Sequence, residues 1–224
     1  MPQEFVEYRE SWRRHHPGWE MRLWTDENLP TDLVRKEAYE RLRKAAERAD
    51  IIRHDLLLRF GGVYVDTDFE CFRSIEPLLE GVELFMARHS TGRVNSAIIG
   101  ARPGHPVLER VLRELRPVTD YGLDKWGTGP YFLDKLVRQH PEVTIFPYEY
   151  FYPDTPAEHE RAYGFHHGAL SWKDPDDLRR GFGEAQRALA EARRRIEELE
   201  RRRLKNRILW LLRGIRAMLT PSRG

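Results

Sequence analysis

The pattern of apolar and polar positions along this 224-residue chain predicts helices and strands in turn. Phe5, Tyr8 and Trp12 recur at helical spacing, and Pro17-Gly18 ends that helix. Residues 19–24 alternate between apolar and polar, as a strand with one buried face does. The predicted helices cover residues 3–16, 31–49, 106–115 and 131–139, and the predicted strands cover residues 19–24, 63–65, 83–87, 95–100 and 143–146. Because strands alternate with helices, we expect an α/β layered fold.

The stretch from Ala49 to Phe72 carries the strongest chemical signal in the sequence. A helical segment runs into Gly61-Gly62, and a short apolar strand then ends in Asp66-Thr67-Asp68. Carboxylates at i and i+2 leave a strand on the same face, where their repulsion is unfavourable unless a cation or a proton lies between them. Hard oxygen ligands at the carboxyl edge of a sheet suit Mg²⁺ or Mn²⁺. Two aspartates can also cap turns in a solvated loop, but the Gly-Gly entry and the strand favour a metal site.

The charge distribution limits the classes of partner. Residues 201–224 contain eight Lys or Arg and no Asp or Glu, so the rest of the chain carries −6 within a total net charge of +2. An acidic body with a basic tail argues against general nucleic-acid binding and for a local anionic partner. The single cysteine, Cys71, excludes an internal disulfide and fits a reducing compartment. The N-terminus has no apolar signal-peptide core, so we expect a cytoplasmic protein.

The central stretch, ADIIRHDLLLRFGGVYVDTD, resembles the sugar-binding region of the DXD-motif glycosyltransferases of family 32. This family includes initiating α-1,6-mannosyltransferases and bacterial capsular polysaccharide glycosyltransferases, and it is distantly similar to the catalytic domain of the large clostridial glucosylating toxins. The resemblance covers residues 3–173. Beyond the central stretch it rests on EYRESWRRHHPGWEMRLWTDENL upstream and, downstream, on Asn95-Ser96, the run from Arg102 to Pro106, Thr128-Gly129-Pro130, His167 and Ser171-Trp172.

The resemblance implies a GT-A nucleotide-sugar transferase fold, with a Rossmann-like mixed sheet flanked by helices, and retaining transfer of a hexose. The donor would be a UDP- or GDP-hexose, and the acceptor a glycan, a polysaccharide or a lipid-linked molecule. A Mn²⁺ or Mg²⁺ ion would bridge the donor diphosphate and neutralise the charge that grows on the leaving group. The implied catalytic residues are Asp50, Arg53, Asp66 and Asp68, the implied donor contacts are Asp50, Arg53, Tyr64, Asp66, Asn95 and Trp172, and the implied metal ligands are Asp66, Asp68 and His167.

Each of these residues also has a purely structural interpretation. Asp50 and Arg53, at i and i+3, share a helix face and can form an exposed ion pair that is worth less than about 1 kcal/mol. Tyr64 can lie in the core, and Asn95 can stabilise a turn. The pair His166-His167 can be a surface feature, and the sequence does not show which of the two would bind the metal.

The sequence departs from the family pattern at its start. Family members open with a strand of the form I-P-K-x-I-H-x-x-W, whereas this sequence begins directly on the helix that follows. We therefore expect a sheet that lacks the usual first strand and exposes an edge. Because that strand lies under the nucleotide base, an alternative function is a catalytically impaired, nucleotide-sugar-binding scaffold.

A phosphatase of the haloacid-dehalogenase type is a more remote alternative, because it also uses Asp-x-Asp at a strand end. In that class the motif lies on the first strand, near the N-terminus, with Thr or Val two residues after it. Here the motif lies in mid-chain and Glu70 occupies that position. A P-loop nucleotide triphosphatase is excluded, because the sequence contains no G-x-x-x-x-G-K-[ST] loop.

We expect two domains, a glycosyltransferase domain over residues 1–175 and a helical tail over residues 176–224. Heptad-like apolar spacing within 185–199 predicts a helix that packs on its own domain or forms a homodimer. The segment 201–224 is basic and amphipathic, with Trp210 among its apolar residues. Such a segment is typical of contact with an anionic membrane surface, so we expect a protein that is peripheral on the inner face of the membrane.

Overall fold

The computed structural model describes residues 2–42, 45–115 and 130–169, and most of the residues between 186 and 199. The chain divides into two compact units, residues 1–172 and residues 173–224. The helices of the first unit are α1 (Gln3–His15), α2 (Lys36–Arg41), α3 (Ala45–Phe60), α4 (Pro106–Glu114), α5 (Pro130–Val137), α6 (Tyr148–Phe151) and α7 (Pro156–His159). Its strands are β1 (Gly62–Val65), β2 (Phe69–Cys71), β3 (Leu84–Arg88), β4 (Val94–Ala101), β5 (Thr144–Phe146) and β6 (Gly164–His166), and a 3-10 helix covers Glu76–Leu78.

The strands form one mixed sheet and one short antiparallel sheet. The larger sheet has the order β1-β4-β3-β5, in which β5 runs parallel to β3 and the other neighbours are antiparallel. The smaller sheet pairs β2 with β6. Helices α3, α4 and α5 pack on one face of the larger sheet. A mixed sheet flanked by helices confirms the α/β fold class.

Alternate residues of β3 face two separate hydrophobic cores. Leu84 and Met86 pack with residues of α3, α4 and α5, whereas Phe85 and Ala87 pack with an aromatic core that includes residues of α1, β2 and α6. All four side chains are almost completely buried. Because successive side chains of a strand point to opposite faces, the sheet separates a helical core from an aromatic core.

Side chains of α1 form hydrogen bonds with backbone groups of β2, on the edge of that strand that faces away from β6. The indole Nε1 of Trp12 donates to the carbonyl of Phe69 at 2.8 Å, and the amide of Cys71 donates to Oγ of Ser11 at 2.8 Å. Both bonds are buried, where an unpaired backbone group would cost about 1–3 kcal/mol. Because β2 directly follows the DXD motif, α1 fixes the position at which that motif ends.

The turn from α3 into β1 requires glycine. Gly61 and Gly62 have φ angles of 66° and 90°, in the left-handed region that residues with a side chain rarely adopt. A Cβ atom on Gly61 would also lie 2.6 Å from Cδ of Pro103. The amide of Gly61 donates to the carbonyl of Leu57 at 2.9 Å and so ends the helix. These two glycines set the direction in which β1 leaves α3.

Two of the predicted elements are wrong. Residues 19–24 have no ladder partner in the described part of the chain, and they line a cavity of about 240 Å³ beside β1. The predicted helix over 31–49 is interrupted, because the backbone of Leu42 is extended (φ −79°, ψ 136°) and separates α2 from α3.

The other predicted helices and strands in the first unit agree with the structure within two residues at each end. β1 lies at the edge of the larger sheet, where it pairs with β4 alone among the described strands. Val63 and Val65 are only half-buried there. Among the described strands, the one that leads into the DXD motif therefore has a neighbour on one side only.

The described residues of the second unit are helical. Leu189, Ile196 and Leu199, which belong to the predicted heptad-like pattern, are 54%, 56% and 59% exposed. The homodimer through 185–199 stays a prediction, and the basic segment 201–224 lies outside the described residues. Within the part of the chain that the structure describes, every helix is too short or too polar to cross a membrane.

Candidate active site

The DXD motif, Asp66-Thr67-Asp68, lies at the junction of the two sheets. The amide of Asp66, directly after β1, donates to the carbonyl of Ala97 on β4 at 2.9 Å. The amide of Phe69 then donates to the carbonyl of Asp66 at 3.1 Å and closes a turn into β2. Both carboxylates of the motif therefore lie where the chain leaves one sheet and enters the other.

The two carboxylate oxygens of Asp66 have different partners. Oδ1 accepts the hydroxyl of Tyr64 at 2.8 Å and lies 3.5 Å from Nη2 of Arg53. Oδ2 lies 3.8 Å from Nε2 of His166, which is too far for a hydrogen bond. The contacts of Oδ1 therefore hold the Asp66 side chain in place, and Oδ2 faces the imidazole of His166.

Asp68 is arranged in the same way. Its Oδ2 accepts the amide of Ala169 at 2.8 Å, and its Oδ1 lies 3.3 Å from Nε2 of His166. Burial raises the pKa of Asp68, but the hydrogen bonds from His166 and from the Ala169 amide lower it by more, so the net pKa is below the ordinary value. Asp68 is therefore ionised at neutral pH.

Asp66, Asp68 and His166 form one cluster that can hold a cation. Their ligand atoms, one from each residue, all lie within 4.8 Å of one another. Neighbouring ligands of an octahedral ion with bonds of about 2.1 Å lie about 3 Å apart. The separations of 3.8 Å and 3.3 Å from the imidazole nitrogen to the two carboxylates thus need only a small side-chain movement to reach that geometry.

The register between β2 and β6 determines which histidine joins the carboxylates. His166 is opposite Phe69 in the ladder and stacks on its ring, with 5.6 Å between the centroids. His167 instead places Nε2 3.0 Å from Oε2 of Glu70 and stacks on Tyr8 at 4.2 Å. Because neighbouring side chains of a strand point to opposite faces, only one of the two can face the motif. The structure places His166, and not the expected His167, beside the two carboxylates.

Arg53 is a buried bridge between two carboxylates and not half of an exposed ion pair. It is 5% exposed, and its Nη2 lies 3.2 Å from Oδ1 of Asp50 and 3.5 Å from Oδ1 of Asp66. Its Nε and Nη1 donate to the carbonyls of Ala49 and Ser96. Burial lowers the pKa of Arg53, but the neighbouring carboxylates, Asp66 and then Asp50, help to raise it by more, so the net pKa lies above the ordinary value. Arg53 therefore stays charged and orients the first aspartate of the motif.

Of the other three predicted donor contacts, two make contacts within the protein and one lies outside the described residues. Tyr64 packs on the helical core, and the guanidinium of Arg53 lies over its ring at 4.9 Å. Oδ1 of Asn95 accepts the amide of Ala97 at 3.0 Å, which is the local contact of a turn-stabilising residue. Trp172 lies outside the described residues. A role of these three side chains in donor binding stays a prediction.

Sequence reasoning missed Tyr152, the residue that follows α6. Its ring meets the rings of His166 and Phe69 edge-on, with centroid distances of 5.9 Å and 6.0 Å. No spacing or motif in the sequence connects this tyrosine to a motif more than eighty positions earlier. The contact follows from the β2–β6 pairing, and only the fold reveals it.

The first part of the chain matches a known family. Residues 2–84 match the glycosyltransferase sugar-binding region containing the DXD motif. The resemblance to DXD-motif glycosyltransferases is therefore confirmed for this segment of the chain. The matched segment contains Asp50, Arg53, Asp66 and Asp68.

Three curated proteins are similar to this chain. A mannosyl phosphorylinositol ceramide synthase of Saccharomyces cerevisiae is 30% identical over 156 residues, which cover 65% of this chain and 40% of that protein. Inositol phosphoceramide mannosyltransferase 3 of Schizosaccharomyces pombe is 28% identical over 193 residues, covering 79% and 53%. The alpha-1,4-N-acetylglucosaminyltransferase of Homo sapiens is 30% identical over 107 residues, covering 45% and 29%. The chain spans 40% of the length of the first fungal relative and 53% of the length of the second.

The two histidines provide a direct test of the ligand set. We expect His166→Gln to weaken Mn²⁺ binding by at least about tenfold, because it removes a ligand nitrogen that faces both aspartates. The adjacent His167→Gln is the matched control and leaves the Mn²⁺ affinity unchanged. Calorimetric titration of each full-length variant with Mn²⁺ measures the difference. An equal loss in both variants, or a larger loss in His167→Gln, would contradict the assignment.

Proposed function

We propose that this chain is a metal-dependent, retaining glycosyltransferase that moves a hexose from a nucleotide-diphosphate sugar to a glycan or lipid-linked acceptor. The observation that carries the proposal is the cluster of Asp66, Asp68 and His166, in which the two aspartates belong to the segment that matches the sugar-binding family. In the reaction, the bond from the anomeric carbon to the diphosphate breaks and a bond to the acceptor hydroxyl oxygen forms. Retention of configuration rests on the family resemblance.

Asp66, Asp68 and His166 would hold the cation. Two carboxylates and one imidazole favour Mn²⁺ over Mg²⁺, because Mg²⁺ takes oxygen ligands in most of its sites. When bound, the metal supplies positive charge to the diphosphate leaving group. Arg53 keeps the Asp66 carboxylate oriented, and the Ala169 amide does the same for Asp68. The protein therefore presents two fixed oxygens and one nitrogen.

Asp50 is the residue best placed to bind a hydroxyl of the donor sugar. Its carboxylate lies beside the buried Arg53, whose Nη2 also contacts Asp66, so sugar and metal would be held by one connected group of side chains. The nitrogens of Arg53 already donate to protein acceptors. We infer that Arg53 acts on the donor mainly by positioning the two aspartates.

A second cavity, of about 110 Å³, opens beside Asp66 and suits the anionic part of the donor. Its lining includes Trp12, Val65 and Phe69 as apolar and aromatic surface. Three positively charged residues also line it, namely Arg9, Arg13 and Arg22. These arginines form surface ion pairs with Glu10 and Glu20, and we propose that they exchange these partners for the phosphates of a nucleoside diphosphate.

The names of the relatives bear on the substrates. The fungal relatives are named for mannosyl transfer to inositol phosphoceramide, and the human relative is named for transfer of N-acetylglucosamine. We propose a lipid-linked or glycan acceptor for this chain, and we leave the donor open between UDP- and GDP-sugars.

A nucleotide-sugar-binding scaffold without turnover is the second candidate. The observation that favours it is the position of β1 at the edge of the described sheet, where Val63 and Val65 are half-buried beside a cavity. A nucleotide sugar that is held loosely at this edge would bind without turnover, since small displacements in an active site are costly. Binding of a nucleotide sugar without release of its nucleotide would distinguish this candidate from an active transferase.

Nucleotide release from a panel of UDP- and GDP-sugars tests the transferase proposal. We expect Mn²⁺-dependent release that falls by about a hundredfold or more in Asp66→Asn and in Asp68→Asn, because each loses the charge that holds the metal. The exposed Asp154→Asn is the matched control and keeps full activity. Undiminished release in EDTA, or in Asp68→Asn, would contradict metal dependence.

We also propose that the basic segment 201–224 binds an anionic membrane, which would bring the site to a lipid-linked acceptor. The support is its eight Lys or Arg without any acidic residue. Each basic residue near such a surface contributes about 1 kcal/mol. The same charges would make the protein peripheral on the inner membrane face.

Vesicle co-sedimentation of the full chain tests this attachment. Replacing Arg201, Arg202 and Arg203 by Gln is expected to lower partitioning onto phosphatidylserine vesicles by about a hundredfold. The same replacement of Arg193 to Arg195, exposed in the preceding helix, removes equal charge and has a smaller effect. Equal partitioning of the wild type and the 201–203 variant, at low and at high salt, would refute attachment through this segment.

A further inference from the structure

Tyr152 belongs to the aromatic core and also contacts His166 of the proposed metal-binding cluster. It is 4% exposed, and its ring meets Phe69 and His166 edge-on. On another side the ring of His89, from the end of β3, lies 5.3 Å away. The phenol is therefore held in place by packing on several sides, and its position is set by the same strand pair that places His166.

The hydroxyl of Tyr152 is buried and has no hydrogen-bond partner in the part of the chain that the structure describes. Its electrostatic surroundings are Asp66, Arg53 and Asp68. A buried hydroxyl without a partner is destabilising, and folded proteins satisfy almost all such groups. Other aromatic hydroxyls in this chain follow that rule, since Tyr64 donates to Asp66 and Tyr148 donates to Glu158.

A bound donor would supply the missing partner. The cluster of Asp66, Asp68 and His166 would bring a diphosphate next to this ring, if the function proposed above is correct. A phenol with an ordinary pKa near 10 carries its proton at neutral pH and is a donor to an anionic oxygen. A hydrogen bond to a charged acceptor in a site that excludes water is stronger than one between neutral groups.

We propose that the Tyr152 hydroxyl is a donor-binding group, which donates a hydrogen bond to a phosphate oxygen of the bound nucleotide sugar. The inference rests on the proposed function and deepens it. As the bond to the anomeric carbon breaks, negative charge grows on the diphosphate, so the same hydrogen bond strengthens in the transition state. Tyr152 then contributes both to donor affinity and to the rate of transfer.

Tyr152→Phe removes the hydroxyl and keeps the packing of the ring. Tyr148→Phe is the matched control, because the same chemical change in the neighbouring helix removes a hydroxyl that the protein already satisfies at 2.9 Å. We expect the melting temperature without ligand to fall in Tyr148→Phe and to stay equal or rise in Tyr152→Phe. With Mn²⁺ and UDP, or Mn²⁺ and GDP, the ligand-induced increase in melting temperature should be reduced only in Tyr152→Phe.

Steady-state kinetics of the same full-length variants complete the test. We expect kcat/KM for the donor to fall by about tenfold to a hundredfold in Tyr152→Phe and to be unchanged in Tyr148→Phe. A Tyr152→Phe variant that keeps the full ligand response, or that melts lower without ligand, would overturn the inference while the proposed function stands. A wild type that responds to neither nucleotide with Mn²⁺ would overturn both.

Discussion

The site depends on the repulsion between two carboxylates that one strand end brings together. Asp66 and Asp68 each give one oxygen to the protein and turn the other toward Nε2 of His166. Arg53 supplies the fixed countercharge on the protein side, where it is buried and shared with Asp50. On the opposite side, the described residues place the imidazole of His166. Arg53 therefore compensates carboxylate charge on the protein side. A cation on the side of His166 would compensate the remaining negative charge.

The two sheets explain how such a site is assembled from distant parts of the chain. β1 brings Asp66 to the edge of the larger sheet, and β2 carries the chain into a second ladder whose partner, β6, lies about a hundred residues later. Helix α1 binds the outer edge of β2 through Trp12 and Ser11, so β2 cannot move independently of the core. Any change that loosens β2 from α1 or β6 would thus displace Asp68 and His166 from each other.

Local pattern was enough for the parts of the site that are close in sequence. Spacing alone places Asp50 and Arg53 on one helix face, and Gly61-Gly62 marks the end of that helix. It could not choose between two adjacent histidines, because that choice depends on strand register. It also predicted a strand over 19–24 that has no ladder partner among the described residues. The sequence also could not predict the role of Tyr152, because its contact with His166 comes from tertiary packing.

Crystals grown with Mn²⁺ and a nucleoside diphosphate, with data collected at the manganese absorption edge, would test the central claim most directly. The geometry predicts one anomalous peak about 2–2.3 Å from Oδ2 of Asp66, Oδ1 of Asp68 and Nε2 of His166, with a phosphate oxygen completing the shell. A peak beside Glu70 and His167, or no peak in contact with the two aspartates, would contradict it.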